Sequence, residues 1–185
     1  VRGCLIESMT FKQDVGSNAG QMTIDSTFFT AYPPVEEANA VVVDTTDTGT
    51  PYSIFALTSA QITLASEHLV CSAWEITISR SLERNGSQDY ASYLPFSVGQ
   101  TAGWEVTGSV TVKADDNTYD LTSVLQGASA GVALSIAGTG FTMSCPDVMI
   151  DAAAIDNGGS ALSVTIPFRA FAANTTSSVI DITAT

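Results

Sequence analysis

The sequence predicts a mainly β protein, an antiparallel β-sandwich or barrel with one short α-helix against it. Three observations support this fold class. Apolar and polar residues alternate with a period of two in several segments, these segments are rich in valine, isoleucine and threonine, and glycine, proline or asparagine separates them. The chain has 185 residues, of which 45% are hydrophobic and 14% are charged, so it can bury a core. We expect one domain over residues 1–185.

Alternation is clearest in "GWEVTGSVTVKADD", residues 103–116, where Gly108 interrupts the apolar side. The predicted strands carry on their apolar sides Met22, Ile24 and Phe28; Trp74, Ile76 and Ile78; Trp104, Val106, Val110 and Val112; Val132, Leu134 and Ile136; Leu162, Val164, Ile166 and Phe168; and Ile180 and Ile182. Polar residues lie between them, as in strands with one buried face.

Turn signals separate the predicted strands. The Asn-Gly pair in "ERNGSQ", residues 83–88, is a strong hairpin signal, although its polar flanks suggest a longer arm. The stretch "DNGGS", residues 156–160, joins two apolar runs and predicts a hairpin turn. Residues 31–40 and 46–51 are expected to be exposed connections.

One segment departs from the strand pattern. In "NTYDLTSVLQGASAG", Tyr119, Leu121, Val124 and Leu125 have helical spacing, and Gly127 is a suitable C-terminal cap. The sequence therefore predicts a short helix at about 118–126, flanking the β structure.

The charge balance limits the possible functions. The formal net charge is −13, and the six lysines and arginines are scattered, which argues against sequence-specific reading of nucleic acid. An acidic surface is either a solvated surface kept soluble by repulsion or one that DNA passes without adhering. No apolar run approaches the roughly 20 residues of a membrane helix, so we expect a soluble protein with no membrane partner.

The cysteines and the first residue bear on the cellular compartment. Cys4, Cys71 and Cys145 are widely spaced, which favours buried free thiols in a reducing cytoplasm, and one disulfide with one cysteine left over is the alternative. Val1 is not an initiator methionine and no signal-peptide pattern follows it. We expect a processed chain or the last part of a longer product.

The motifs that suggest catalysis lack the context that catalysis needs. "GASAG", residues 127–131, matches the G-x-S-x-G pattern, but a helix precedes Ser129 and a strand follows it, the reverse of a nucleophile elbow. His68 is the only histidine and has no candidate partner, so a structural role is expected for it. We expect no enzyme, no catalytic residue and no cofactor.

Oxygen ligands are dense in residues 115–120, where Asp115, Asp116, Asn117 and Asp120 lie close together. Calcium prefers such ligands, although the spacing is not that of an EF-hand. A turn followed by a helix cap uses the same residues, and the sequence leaves both interpretations open.

Longer blocks of the sequence resemble the carboxy-terminal part of the major tail tube proteins of long-tailed bacteriophages. The block "SAWEITISRSLERNGSQDYASYLPFSVGQTAGWEVTGSVTVKADDNTYDLTSVLQG" has the strand, proline loop, "VTGSVT" strand, acidic turn and short helix of that family. The ending "ALSVTIPFRAF" is similar to the closing hairpin, and "GCLIESMTFKQD" resembles the opening strand.

The resemblance implies a structural protein of the virion tail, assembled in the host cytoplasm. Its subunits would join into rings, usually hexameric, that stack into the tube through which double-stranded DNA is ejected without specific binding. The partners implied are further copies of the chain and other tail proteins. Candidate lumen-facing residues, which lie opposite the apolar rows, are Glu75, Thr77, Ser79, Glu105, Thr107 and Thr111. Their face is either the lumen wall or the outer wall.

Two polar segments are candidates for contacts between subunits or rings. They are "AYPPVEEANA" at 31–40 and "RSLERNGSQDYASY" at 80–93, and solvated surface loops are the alternative. For the whole chain, the main alternative function is a β-sandwich binding module, such as an adhesin or carbohydrate-binding domain. A fibre or capsid decoration protein is a further alternative.

Overall fold

The computed structural model describes residues 4–14, 16–17, 21–30, 61–88, 95–113, 131–138, 141–151, 154–156, 163–172 and 177–184. Its strands are β1 (Cys4–Asp14), β2 (Thr23–Thr30), β3 (Gln61–Leu64), β4 (Glu67–Leu69), β5 (Cys71–Ser79), β6 (Leu82–Gln88), β7 (Pro95–Gln100), β8 (Glu105–Lys113), β9 (Val132–Gly138), β10 (Phe141–Ile150), β11 (Ala154–Asp156), β12 (Ser163–Ala170) and β13 (Asp181–Ala184). The described residues form no helix, and hence none that could cross a membrane. The predicted helix at 118–126 and the connections at 31–40 and 46–51 lie outside them.

Eleven strands form one antiparallel sheet in the order β2-β1-β5-β8-β12-β10-β9-β3-β4, with β11 beside β12 and β13 beside β10. No described strand joins β2 to β4, so the sheet is open and sandwich-like rather than the closed barrel that was the alternative. The strands β6 and β7 form a separate two-stranded sheet.

The sheet folds over one core. Its buried apolar residues come from both ends of the strand order and form a single cluster of Phe11, Ile62, Leu64, Leu69, Trp74, Ile76, Val106, Val110, Val112, Leu134, Ile136, Met143, Cys145, Val148, Val164, Ile166, Phe168 and Ala170. The alternation predicted for β5, β8, β9 and β12 is confirmed, since the core takes every second residue from each. The face opposite these residues is therefore free of the core.

The sheet divides into two layers at β10 and β12. These strands pair only over Val148–Ile150 and Phe168–Ala170. Beyond that point they separate, and β13 pairs with β10 while β11 pairs with β12. Because the two short strands satisfy the backbone groups that the separation would leave unpaired, the layers can diverge around the core.

Two sequence predictions need correction. Trp104 precedes β8 instead of belonging to its apolar row, and 48% of its surface is exposed. The Asn85-Gly86 pair lies inside β6, at an irregularity of the β6–β7 ladder, and is not the turn of the hairpin. The expected hairpin turn at 156–160 lies outside the described residues from residue 157 onward, and the strands on either side of it, β11 and β12, pair with each other.

Candidate functional site on the polar face, the β2 edge and the arm

The six candidate residues lie on one face of two neighbouring strands. In the β5–β8 ladder Thr77 faces Thr107, and Ser79 faces Glu105. Glu75 lies two residues further along β5, opposite Ser109, and Thr111 lies four residues further along β8, opposite Ala73. Because Trp74, Ile76, Val106 and Val110 point into the core from the same strands, the alternation turns these six side chains away from it.

The same polar surface continues onto the strands on either side. Thr10 on β1 and Thr165 on β12 extend it, and the hydroxyl groups of these two residues form hydrogen bonds with threonines of β5 and β8. The oxygens Thr10 Oγ1 and Thr77 Oγ1 lie 2.9 Å apart, and those of Thr111 and Thr165 lie 3.1 Å apart. We call the side of β2, β1, β5, β8 and β12 that lies opposite the core the polar face.

Two cations of the polar face, Lys12 and Arg169, are paired with carboxylates. Lys12 Nζ lies 2.6 Å from Asp25 Oδ2, and this hydrogen bond raises the pKa of the exposed lysine. Lys12 also faces Glu75 across the β1–β5 ladder. Near the other side of the face, Arg169 Nη1 lies 3.5 Å from Glu105 Oε1. Hydroxyl groups and these charge pairs therefore dominate the described part of the surface.

A shallow polar depression of about 280 Å³ opens where β1 turns towards β2. Its lining includes Gln13, which is 2% exposed and accepts a hydrogen bond of 3.0 Å from the indole Nε1 of Trp74. The residues that line the depression are Lys12, Gln13, Asp14, Ser17, Gln21, Thr23, Ala73, Trp74, Glu75, Ser109 and Thr111. Among the described residues, no group of three or more histidine, cysteine or acidic side chains could hold a metal ion.

The strand β2 ends the described sheet and exposes apolar side chains. Ile24 is 51% exposed and Phe28 is 59% exposed, although both lie on the side of β2 that faces the core. Ile24 pairs with the buried Phe11 of β1, so the apolar row of the core continues outward to the edge of the sheet. An open edge with exposed apolar residues is a surface on which another strand can add.

The arm, formed by β6 and β7, is a second candidate interaction element. Its ladder runs from Leu82 opposite Gln100 to Gln88 opposite Pro95. Among the described strands, β6 and β7 pair with no strand other than each other. It extends from the end of the β5–β8 pair. The sequence prediction of a longer arm is consistent with this ladder.

The structure describes one of the two residues that the sequence offers for catalysis. His68 is exposed on β4, opposite Thr63. Ser129 and the acidic residues 115–120 lie outside the described residues, so the calcium hypothesis remains a prediction.

Sequence reasoning missed the strands that flank the six candidates. Alternation of Ser8, Thr10 and Lys12 in β1 is visible in the sequence, and so is that of Thr165 and Arg169 in β12. The order β1-β5-β8-β12, which brings them together, joins segments far apart in the chain, and no local pattern reports it.

Comparison with known families gives one match. A model of the family described as phage tail tube protein matches residues 1–170, which contain all the strands discussed above except β13. No curated protein matches the chain.

Proposed function

Since the chain belongs to the phage tail tube protein family, we propose that its copies join into rings that stack into the wall of the tail tube, the conduit for DNA ejection. Members of this family are structural components of the virion tail and not enzymes. The rings, the stacking and the passage of DNA are the proposed steps beyond family membership.

The polar face is the proposed lumen wall, with Glu75, Thr77, Ser79, Glu105, Thr107 and Thr111 facing the DNA. The supporting observation is a polar surface over five adjacent strands, on which Lys12 and Arg169 are each paired with a carboxylate. Phosphate groups bind lysine and arginine by charge, so paired cations offer a passing duplex little to hold. The net charge of −13 acts in the same direction, because like charges repel.

The β2 edge is the proposed lateral contact between neighbouring subunits. A strand from a second copy added beside β2 would extend the described sheet and cover Ile24 and Phe28. Burial of such side chains stabilises an interface by about 1.5–3 kcal/mol each when it is complete. A closed ring needs two different surfaces that fit each other, so the partner of β2 is a different part of the next subunit.

The arm is the proposed second contact with a neighbouring copy. It extends beyond the sheet, and within the described residues its strands are paired only with each other. A two-stranded ribbon is marginally stable by itself, so packing against another subunit would stabilise it.

Electron microscopy of the purified protein over a concentration series tests the proposal. We expect rings or stacked tubes whose central hole admits a DNA duplex, and their averages would also give the number of subunits per ring. Lysine at Ile24 or Phe28 should abolish them, because a buried charge opposes docking of the edge.

Ala133→Lys is the matched control for these two variants. Ala133 is exposed on β9, which has a neighbouring strand on both sides. Assembly should survive the same added charge there. Discrete monomers of the unsubstituted protein at every concentration would contradict the proposed function and favour a binding module.

A further inference from the structure

The joint between the arm and the sheet is asymmetric. The β5–β8 ladder ends at Ser79 opposite Glu105, and the arm ladder begins at Leu82 opposite Gln100. Two residues, 80–81, connect the strands on one side, and four residues, 101–104, connect them on the other. Extra residues on one strand bend a ladder and change its direction, as in a β-bulge.

Arg80 contacts both sides of this joint. Its guanidinium carbon lies 4.5 Å from the centre of the Trp104 ring. The connection that enters the arm is therefore stacked on the connection that leaves it. Its Nε donates a hydrogen bond of 2.8 Å to the carbonyl oxygen of Ile6, and its backbone N–H donates one of 2.9 Å to that of Glu7. These carbonyl groups lie where the β1–β2 ladder changes register, so Arg80 connects the joint to the body of the sheet.

The remaining described contacts of the joint stay within it. The backbone N–H of Thr101 donates to the carbonyl oxygen of Ser81 at 3.1 Å, and Gln100 Nε2 donates to that of Ala102 at 2.6 Å. They close the start of the arm without connecting it to β1. Arg80 is therefore the described side chain that links the direction of the arm to the sheet.

We infer that the Arg80–Trp104 pair is a lock that fixes the direction of the arm, so that the arm reaches its site on a second copy of the chain. Arg80 acts as a positioning residue, because its contacts lie within one subunit. The part of the inference that concerns the second copy rests on the proposed function, and the lock itself does not.

Distances between two spin labels measure the direction of the arm directly. One label replaces Glu83, exposed on β6, and the other replaces Ala133, exposed on β9, in a Cys4→Ser background diluted with unlabelled protein. We expect a narrow distance distribution in the parent protein. Arg80→Met, which loses both the charge and the Nε donor, and Trp104→Leu, which loses the ring, should broaden it clearly.

Two further variants separate the lock from general damage. Trp104→Phe retains an aromatic face and should restore a narrow distribution. Trp104→Leu changes a half-exposed side chain and should leave the core packed, so it remains informative if Arg80→Met fails to fold. Amide exchange of β6 and β7 should accelerate roughly threefold to tenfold in the broadened variants, as expected for loss of a cation–π contact and a hydrogen bond.

The outcomes distinguish the lock from the proposed function. Unchanged label distances in both Arg80→Met and Trp104→Leu would overturn the lock, whether or not tubes form. If the parent protein forms no tubes, the proposed function fails while the distances still decide the lock. If arm direction controls assembly, a variant with a broadened distance distribution should form at least tenfold fewer tubes than the parent protein. A normal yield of tubes from such a variant would overturn this link.

Discussion

The phenyl ring of Phe168 occupies the space that a side chain at Gly108 would need. A Cβ atom added at Gly108 would overlap the carbonyl oxygen of Glu75 and lie 2.6 Å from Phe168 Cζ. Gly108 pairs with Phe168 on β12 and with Ile76 on β5. The Phe168 ring therefore lies against the core side of the strands that carry the polar face. The glycine that interrupts the apolar row of β8 is therefore a packing requirement.

We expect Gly108→Ala to destabilise the fold by about 1–3 kcal/mol, because backbone on one side and a buried ring on the other prevent relief of the overlap. Urea unfolding followed by fluorescence measures the free-energy change. Gly103→Ala is the control, since nothing lies within 4 Å of a Cβ there. Equal midpoints for the two variants would contradict this account.

The turn between β3 and β4 contains two residues in an unfavourable conformation. Ala65 and Ser66 have φ angles of 54° and 69°, and the flanking Leu64 and Glu67 pair, as in a two-residue type I′ hairpin. Asparagine followed by glycine suits these positions best. We expect Ala65→Asn with Ser66→Gly to stabilise the protein by about 1 kcal/mol.

The thermal midpoint of this turn variant should rise. The backbone hydrogen bond of 2.9 Å from residue 65 to the Ala133 carbonyl does not depend on the side chain and is kept. Ala133→Gly, which places glycine in a strand instead, should lower the midpoint. An unchanged midpoint in the turn variant would show that the turn is not strained.

The buried hydrogen bond between Trp74 and Gln13 predicts an asymmetric response to mutation. Gln13→Met removes the acceptor that lies 3.0 Å from the indole nitrogen, and we expect a loss of about 1–3 kcal/mol. Adding Trp74→Phe removes the donor as well. The double variant should lose less stability than the sum of the single variants, and a double-mutant cycle in urea measures this difference. Strict additivity would mean that the bond contributes nothing.

Because the thiols of two cysteines are largely buried, we expect the stability of the fold to decrease at high pH. Burial raises the pKa of Cys71 and of Cys145 to about 12 from an ordinary 9.0, and nearby Asp181 contributes at Cys145. Between these values the folded state binds more protons than the unfolded state, so stability decreases as pH rises from about 9 towards 12. Below pH 9 this contribution is constant.

Comparison with a Cys71→Ala, Cys145→Ala protein isolates the effect of the thiols from other groups that titrate there. Its stability should fall less steeply over the same pH range. In a Cys4→Ser background, iodoacetamide at pH 8 should modify both cysteines in urea and neither in the folded protein, because the thiolate is the reactive form. Rapid labelling of the folded protein would contradict the raised pKa values.

Alternation in the sequence identifies which residues share a face, but not what covers that face. In β5, β8 and β12 the apolar side is the core, as predicted. In β2 the same pattern places Ile24 and Phe28 on an exposed edge, because the described part of the sheet ends there. The pattern predicts Trp104 in the apolar row of β8, but the ladder breaks just before β8, and a strand pattern contains no signal for such a joint.

The candidate site was predictable to the same extent. Position in β5 and β8 was enough to group the six polar residues. Their neighbours on β1 and β12, and the charge pairs of Lys12 and Arg169, depend on pairings between distant segments that no local pattern specifies. The joint at Arg80 is set by a difference in length between two connections, which is visible only once the register of both ladders is known.

The strand order also has a consequence for how the molecule reaches its native state. Hairpins such as β1–β2, β6–β7 and β9–β10 can form early, whereas β1 must meet β5, β12 must meet β8, and β3 must meet β9 across long stretches of chain. Such distant pairings make folding slow, in the range of milliseconds to seconds for β proteins. Until they form, β1 and β8 are open edges, and at high protein concentration aggregation of these intermediates would compete with productive folding.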